Sequence, residues 1–133
     1  MSFEILNPPS LSVPRGWNNG LLAAPGGRVL FVAGQVGCEH GNPPGFTDQF
    51  AIALDRVLAV VAAAGGRPSD VGRMTIYVTE LTAYRESLES LGRIWRERLG
   101  SHYPAIALLE VKGLVDPGAK VEIEATAVIG AAS

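Results

Sequence analysis

Apolar residues along positions 50–64 recur every three or four places. Phe50, Leu54, Val57, Leu58 and Val61 fall on one helical face, so the segment predicts an amphipathic helix with Thr47 or Asp48 as its cap and Gly65 and Gly66 after its end. A second stripe, Tyr84, Leu88, Leu91, Trp95 and Leu99, predicts a helix over 82–99 that Gly100 closes, with Glu89, Arg93 and Glu97 spaced four apart on its wetter side. Elsewhere the period is two. Met74, Ile76 and Val78 alternate with Thr75, Tyr77 and Thr79, and Val121, Ile123 and Ala125 with Glu122, Glu124 and Thr126, the mark of half-buried strands. Residues 21–24 and 29–33 flank the turn signal PGGR and predict a hairpin. A short extra strand is expected near 10–13, and GNPPG at 41–45 is a loop. The strand at 105–112 reaches the last strand through the turn Asp116–Gly118, which suits antiparallel neighbours. The resulting order, β, β, α, β, α, β, β, predicts one α+β domain over 1–133, a mixed sheet with two helices on one face.

The strand at 105–112 is apolar on both faces. Ile106, Leu108 and Glu110 share one side, and Ala107, Leu109 and Val111 the other. With the helices over Ala107, Leu109 and Val111, the residues Ile106 and Leu108, together with Tyr77, form an exposed patch that a second copy of the chain is expected to cover.

Composition narrows the function. The 133 residues are 47% hydrophobic and 18% charged, enough for one packed core. A net charge of −2, no basic run and 7% aromatics argue against a nucleic-acid partner. The longest apolar stretches fall short of the roughly 20 residues of a membrane span, and the N-terminal residues lack the pattern of an export signal. Cys38 is the single cysteine, which excludes an internal disulfide; a cytoplasmic location is the expectation.

Candidate chemistry is sparse. Glu110, Glu122 and Glu124 are read as neighbours on the open sheet face, where raised pKa values would suit acid–base work, although alternating glutamates also simply face water. Cys38, His40 and His102 lack the paired spacing of a zinc site, and no metal is expected. Cys38 and His40 are no better as a nucleophilic pair, because two loop positions fix no geometry. RGWNNG at 15–20 combines a cation, an aromatic and two amides, a weak signal by itself. No glycine pattern matches a phosphate cradle, so no nucleotide cofactor is implied.

Taken in order, LFVAGQVG, a helix ending AAGG, MTIYVTEL, YPAIALLEV and KVEIEATAV resemble the YjgF/Rid family of reactive intermediate deaminases, also called endoribonuclease L-PSP, over nearly the whole chain. The resemblance implies a chorismate-mutase-like fold, a homotrimer with small-molecule sites in the clefts between subunits, and no cofactor. It implies that Glu122 positions the water that attacks an imine. It also places Trp17 at an aromatic position and Ala33, usually serine, before Gly34 in the ligand site. The chain departs from the family at Ile106. Deaminating members read PARS, with an arginine that grips the substrate carboxylate; this chain reads PAIA at 104–107, and Ala107 and Leu108 make the same wall more apolar. Losing such a pair costs on the order of 2–5 kcal/mol in binding. Arg15 or a cation of another chain is left as the replacement anchor, which sequence does not place. Two readings follow: an atypical enamine or imine deaminase that hydrolyses a C=N bond, and a non-catalytic trimer that binds a ligand or a protein. Ribonuclease or translation-inhibiting activity, attached to some relatives, is disfavoured by the acidic balance.

Overall fold

A computed structural model describes residues 3–38 and 43–130. Strands β1 (Phe3–Leu6) and β2 (Gly20–Ala23) form a two-stranded ribbon. Then come β3 (Arg28–Val36), helix α1 (Phe46–Ala63), a 3₁₀ turn at Pro68–Asp70, β4 (Val71–Val78), α2 (Leu81–Glu86), α3 (Leu88–Leu99), β5 (Ala105–Glu110) and β6 (Val121–Ile129). The main sheet runs β3-β6-β4-β5 and is mixed: β4 and β5 are parallel, the other neighbours antiparallel. The period-two expectation holds along β6, where Val121, Ile123, Ala125, Ala127 and Ile129 are buried and the residues between them are half-buried. Phe50, Leu54, Val57 and Val61 of α1 and Leu91, Trp95 and Leu99 of α3 form one core with that buried face. The expected α+β arrangement, with both long helices on one side, is therefore the observed one. Among the described residues no helix is long and apolar enough to cross a membrane.

Several local expectations are corrected. The first helix begins at Phe46, and its cap is the extended Gly45, with no side-chain cap from Thr47 or Asp48. The second is broken at Ser87, which leaves helical geometry between α2 and α3 with φ −110° and ψ 9° while its hydroxyl donates to the Ala83 carbonyl at 2.7 Å. The hairpin read across PGGR does not form: β2 pairs with β1, Phe3 opposite Ala23 and Ile5 opposite Leu21, while β3 pairs with β6. No strand forms at 10–13. Instead an asparagine clasp brackets that loop. Asn7 Oδ1 accepts from the Asn19 backbone N–H at 2.7 Å, and Asn7 Nδ2 donates to Asn18 Oδ1 at 2.9 Å, which holds the end of β1 beside the start of β2. Nor are β5 and β6 neighbours, because β4 lies between them.

The two faces of β5 are the reverse of the expectation. Met74 pairs with Ile106 and Ile76 with Leu108. Directly paired residues point to the same side of a sheet, and Met74 is completely buried beneath the helices. Ile106 and Leu108 thus pack toward the helical layer, whereas Ala107 and Leu109 join Thr75 and Tyr77 on the bare face. Glu110 leaves the expected carboxylate group for the same reason. Paired with Val78, it accepts the N–H of Leu81 at 3.0 Å, at the start of α2.

Candidate functional site

The parallel pairing of β5 beside β4 places its apolar row opposite α3, and between them opens a cleft of about 570 Å³. Its floor is aromatic. The rings of Trp95 and Tyr103 stack with centroids 6.0 Å apart and planes within 4°. The Trp95 indole N–H is satisfied by the His102 carbonyl at 3.1 Å, so the ring presents its apolar surface to the cleft. Ile106 and Leu108 line one wall, Leu88 and Leu91 another. Over the mouth lies the segment carrying Arg15 and Trp17. It is pinned by Asn18, whose backbone N–H donates to the Pro104 carbonyl at 3.1 Å and whose side chain donates to that of Tyr103 at 2.7 Å. Between Arg15 and Trp17, Gly16 has φ +77°, a left-handed bend that a residue with a Cβ rarely adopts.

The opposite face of the sheet carries a second set. Pairing of β3 with β6 slips between Val32 and Gln35, so Ala33 and Gly34 both lie opposite Glu124 in a bulge. A Cβ on Gly34 would sit 2.6 Å from Glu122 Oε2. The missing side chain is what lets the Glu122 carboxylate lie against the β3 backbone. Next to it, the Tyr77 hydroxyl donates to Glu124 Oε2 at 2.8 Å. That hydrogen bond to a carboxylate, followed by desolvation and the negative charges of Glu124 and Glu122, raises the Tyr77 pKa above the ordinary tyrosine value.

Other candidates have structural partners. His102 Nε2 lies 2.7 Å from the Val71 carbonyl, and its ring stacks on Phe3. Cys38 is buried, with Sγ 3.9 Å from the Pro117 carbonyl; His40 lies outside the described residues. Among those residues no three His, Cys, Asp or Glu side chains are grouped so as to hold a metal ion.

The sequence profile of the family described as endoribonuclease L-PSP matches residues 16–129. The chain belongs to that family. A relative named "Putative reactive intermediate deaminase TdcF", from Escherichia coli, is 30% identical over 108 residues, 77% of this chain and 80% of its own. The solved structure of Escherichia coli TdcF with bound serine superposes with a TM-score of 0.67 at 28% identity, covering 98% of this chain and 99% of that one. The Yersinia pestis protein YyfB, of the conserved Rid family, superposes with a TM-score of 0.81 at 28% identity, covering 97% and 100%. The architecture is the chorismate-mutase-like one of the endoribonuclease L-PSP family.

Within this L-PSP domain the residues singled out in the sequence separate into two groups. Trp17, Ile106 and Leu108 meet at the cleft on the helical side. Ala33, Gly34 and Glu122 lie on the opposite, bare face, where Ala107 also points. Sequence reasoning missed the aromatic floor. Trp95 belongs to the apolar stripe of α3 and reads there as core, and Tyr103 stands in a lead-in to β5 with no periodicity to place it.

Proposed function

We propose that the chain is a small-metabolite-binding protein whose site is completed between subunits of a homotrimer. A ligand held against Trp17 and Ile106 of one subunit meets Glu122 of the next. The observation that carries this reading is the division of the site residues between two faces of one sheet: a single copy cannot bring both sets to one molecule, and a second copy seated on the bare face can. Membership in a family with a deaminase-named relative supports a C=N bond as the reacting group.

In the catalytic form of the proposal, Glu122 orients a water and accepts its proton as the oxygen attacks the imine carbon and the C=N electron pair moves to nitrogen. The proton passes on to that nitrogen, and collapse of the tetrahedral carbinolamine releases ammonia and leaves a carbonyl. No cofactor takes part. The test is ammonia release from an imine acid generated in situ, compared with spontaneous hydrolysis. Glu122→Gln is expected to lower the accelerated rate about a hundredfold or more. A wild-type protein that gives no acceleration overturns the catalytic form. It then favours the second reading, a non-catalytic binding trimer, which the isoleucine at the position of the family's arginine supports.

A further inference from the structure

We infer that Arg15 is the anion anchor of the cleft, and that the ligand class is a monocarboxylate with an aromatic or branched apolar body. This rests on the reading of the cleft as a small-molecule site. Among the described residues that line the cleft, Arg15 is the only charged one. The described residues offer it no ion pair or hydrogen bond, so its donors are free for a ligand. Its position is built by the fold: Gly16 turns the chain so that Arg15 and Trp17 both line the mouth, and Asn18 ties that turn to the carbonyls of Tyr103 and Pro104, immediately before Ile106.

The remaining lining sets the rest of the ligand. Trp95, Tyr103, Ile106, Leu88 and Leu91 offer apolar surface with no second charge, and the volume lies within the range of sites that enclose small organic molecules. A guanidinium donates two parallel hydrogen bonds to a carboxylate, and beside low-dielectric walls that pair is stronger than in water. A short polar acid would leave the aromatic floor bare; a neutral apolar compound would leave Arg15 unused. Only a molecule with both parts satisfies the whole cleft.

Trp17 and Trp95, the two tryptophans of the chain, both line the cleft, so intrinsic fluorescence reports on its occupancy. The probes are 3-phenylpropionate, its amide and propionate, titrated into the wild-type protein and into Arg15→Ala and Arg15→Lys at one ionic strength. The expected result is that 3-phenylpropionate binds about tenfold or more tightly than either the amide or propionate. In Arg15→Ala the acid should fall to the affinity of the amide, while the amide is unaffected; Arg15→Lys should keep part of the preference. Unchanged amide binding also shows that the variant is folded. Equal binding of acid and amide by the wild type, or an acid preference that survives Arg15→Ala, overturns Arg15 as anchor and leaves the cleft a small-molecule site. Binding of none of the three probes overturns both this inference and the reading beneath it.

Discussion

At the scale of single residues, Tyr77 is a half-buried group whose ionisation is set by its carboxylate neighbours. Its hydroxyl donates to Glu124, and ionising it would replace that hydrogen bond with repulsion between two anions, with Glu122 adding to it. The neutral phenol is therefore favoured in the folded protein. The stability this contributes is fully present below the ordinary tyrosine pKa of about 10 and is lost as pH rises through the raised value. Absorbance titration of the three tyrosines should show a late component that disappears in Tyr77→Phe and moves back toward the ordinary value in Glu124→Gln. A late component that persists in Tyr77→Phe would show that Tyr77 is not its source. The alternation that marks Tyr77 as outward-facing was readable because its strand has one clearly polar side. Residues 105–110 offered no such cue. With apolar residues at both parities, the direction of Ile106 depends on its partner Met74, a parallel pairing that one strand's pattern does not contain.

At the scale of elements, periodicity located both long helices and all four strands of the main sheet, and it failed where a side chain acts on distant backbone. Gln49 is the clearest case. It is polar and lies outside the apolar stripe, yet it is completely buried in the first turn of α1. Its Nε2 donates to the carbonyls of Pro44 at 2.9 Å and Gly118 at 3.0 Å, and its Oε1 accepts the N–H of Lys120 at 2.8 Å. One side chain thus joins the start of α1 to the loop that feeds β6. Beside it, Gly37 abuts the Gln49 backbone so closely that no side chain would fit. Gln49→Leu keeps the volume and strips three backbone groups of their partner, at about 1–3 kcal/mol each where water cannot replace it. Urea unfolding should therefore show a loss of about 3 kcal/mol or more. The exposed ion pair of Arg98 with Asp55, which joins α3 to α1 at 2.6 Å, supplies the contrast: Asp55→Ala should cost less than about 1 kcal/mol. Equal costs for the two variants would show that water reaches the Gln49 partners.

At the scale of the whole molecule, the helices cover one side of the sheet and leave the other with large apolar residues in the open. In a single chain Phe31 is 79% exposed, Val29 57% and Leu109 41%. Phe31 and Val29 lie on one edge strand and Leu109 on the other, flanking a central polar lane of Thr75, Tyr77, Glu122 and Glu124. Such an arrangement suits apolar contact along the strand edges of adjoining copies, with the lane between them left for polar groups. Sedimentation at micromolar concentration should give a particle of three times the 14.0 kDa chain mass. Phe31→Glu places a charge in the proposed contact and should shift the population to monomers that keep their far-ultraviolet circular dichroism. Ala59→Glu, on the exposed side of α1, should leave the assembly intact. The same variant tests the divided site. If Glu122 acts on a molecule held in a neighbour's cleft, monomeric Phe31→Glu loses ammonia release although Glu122, Trp17 and Ile106 are all still present. A monomer that retains that activity would mean that one copy suffices, and the separation of the site residues by the sheet would then carry no functional meaning.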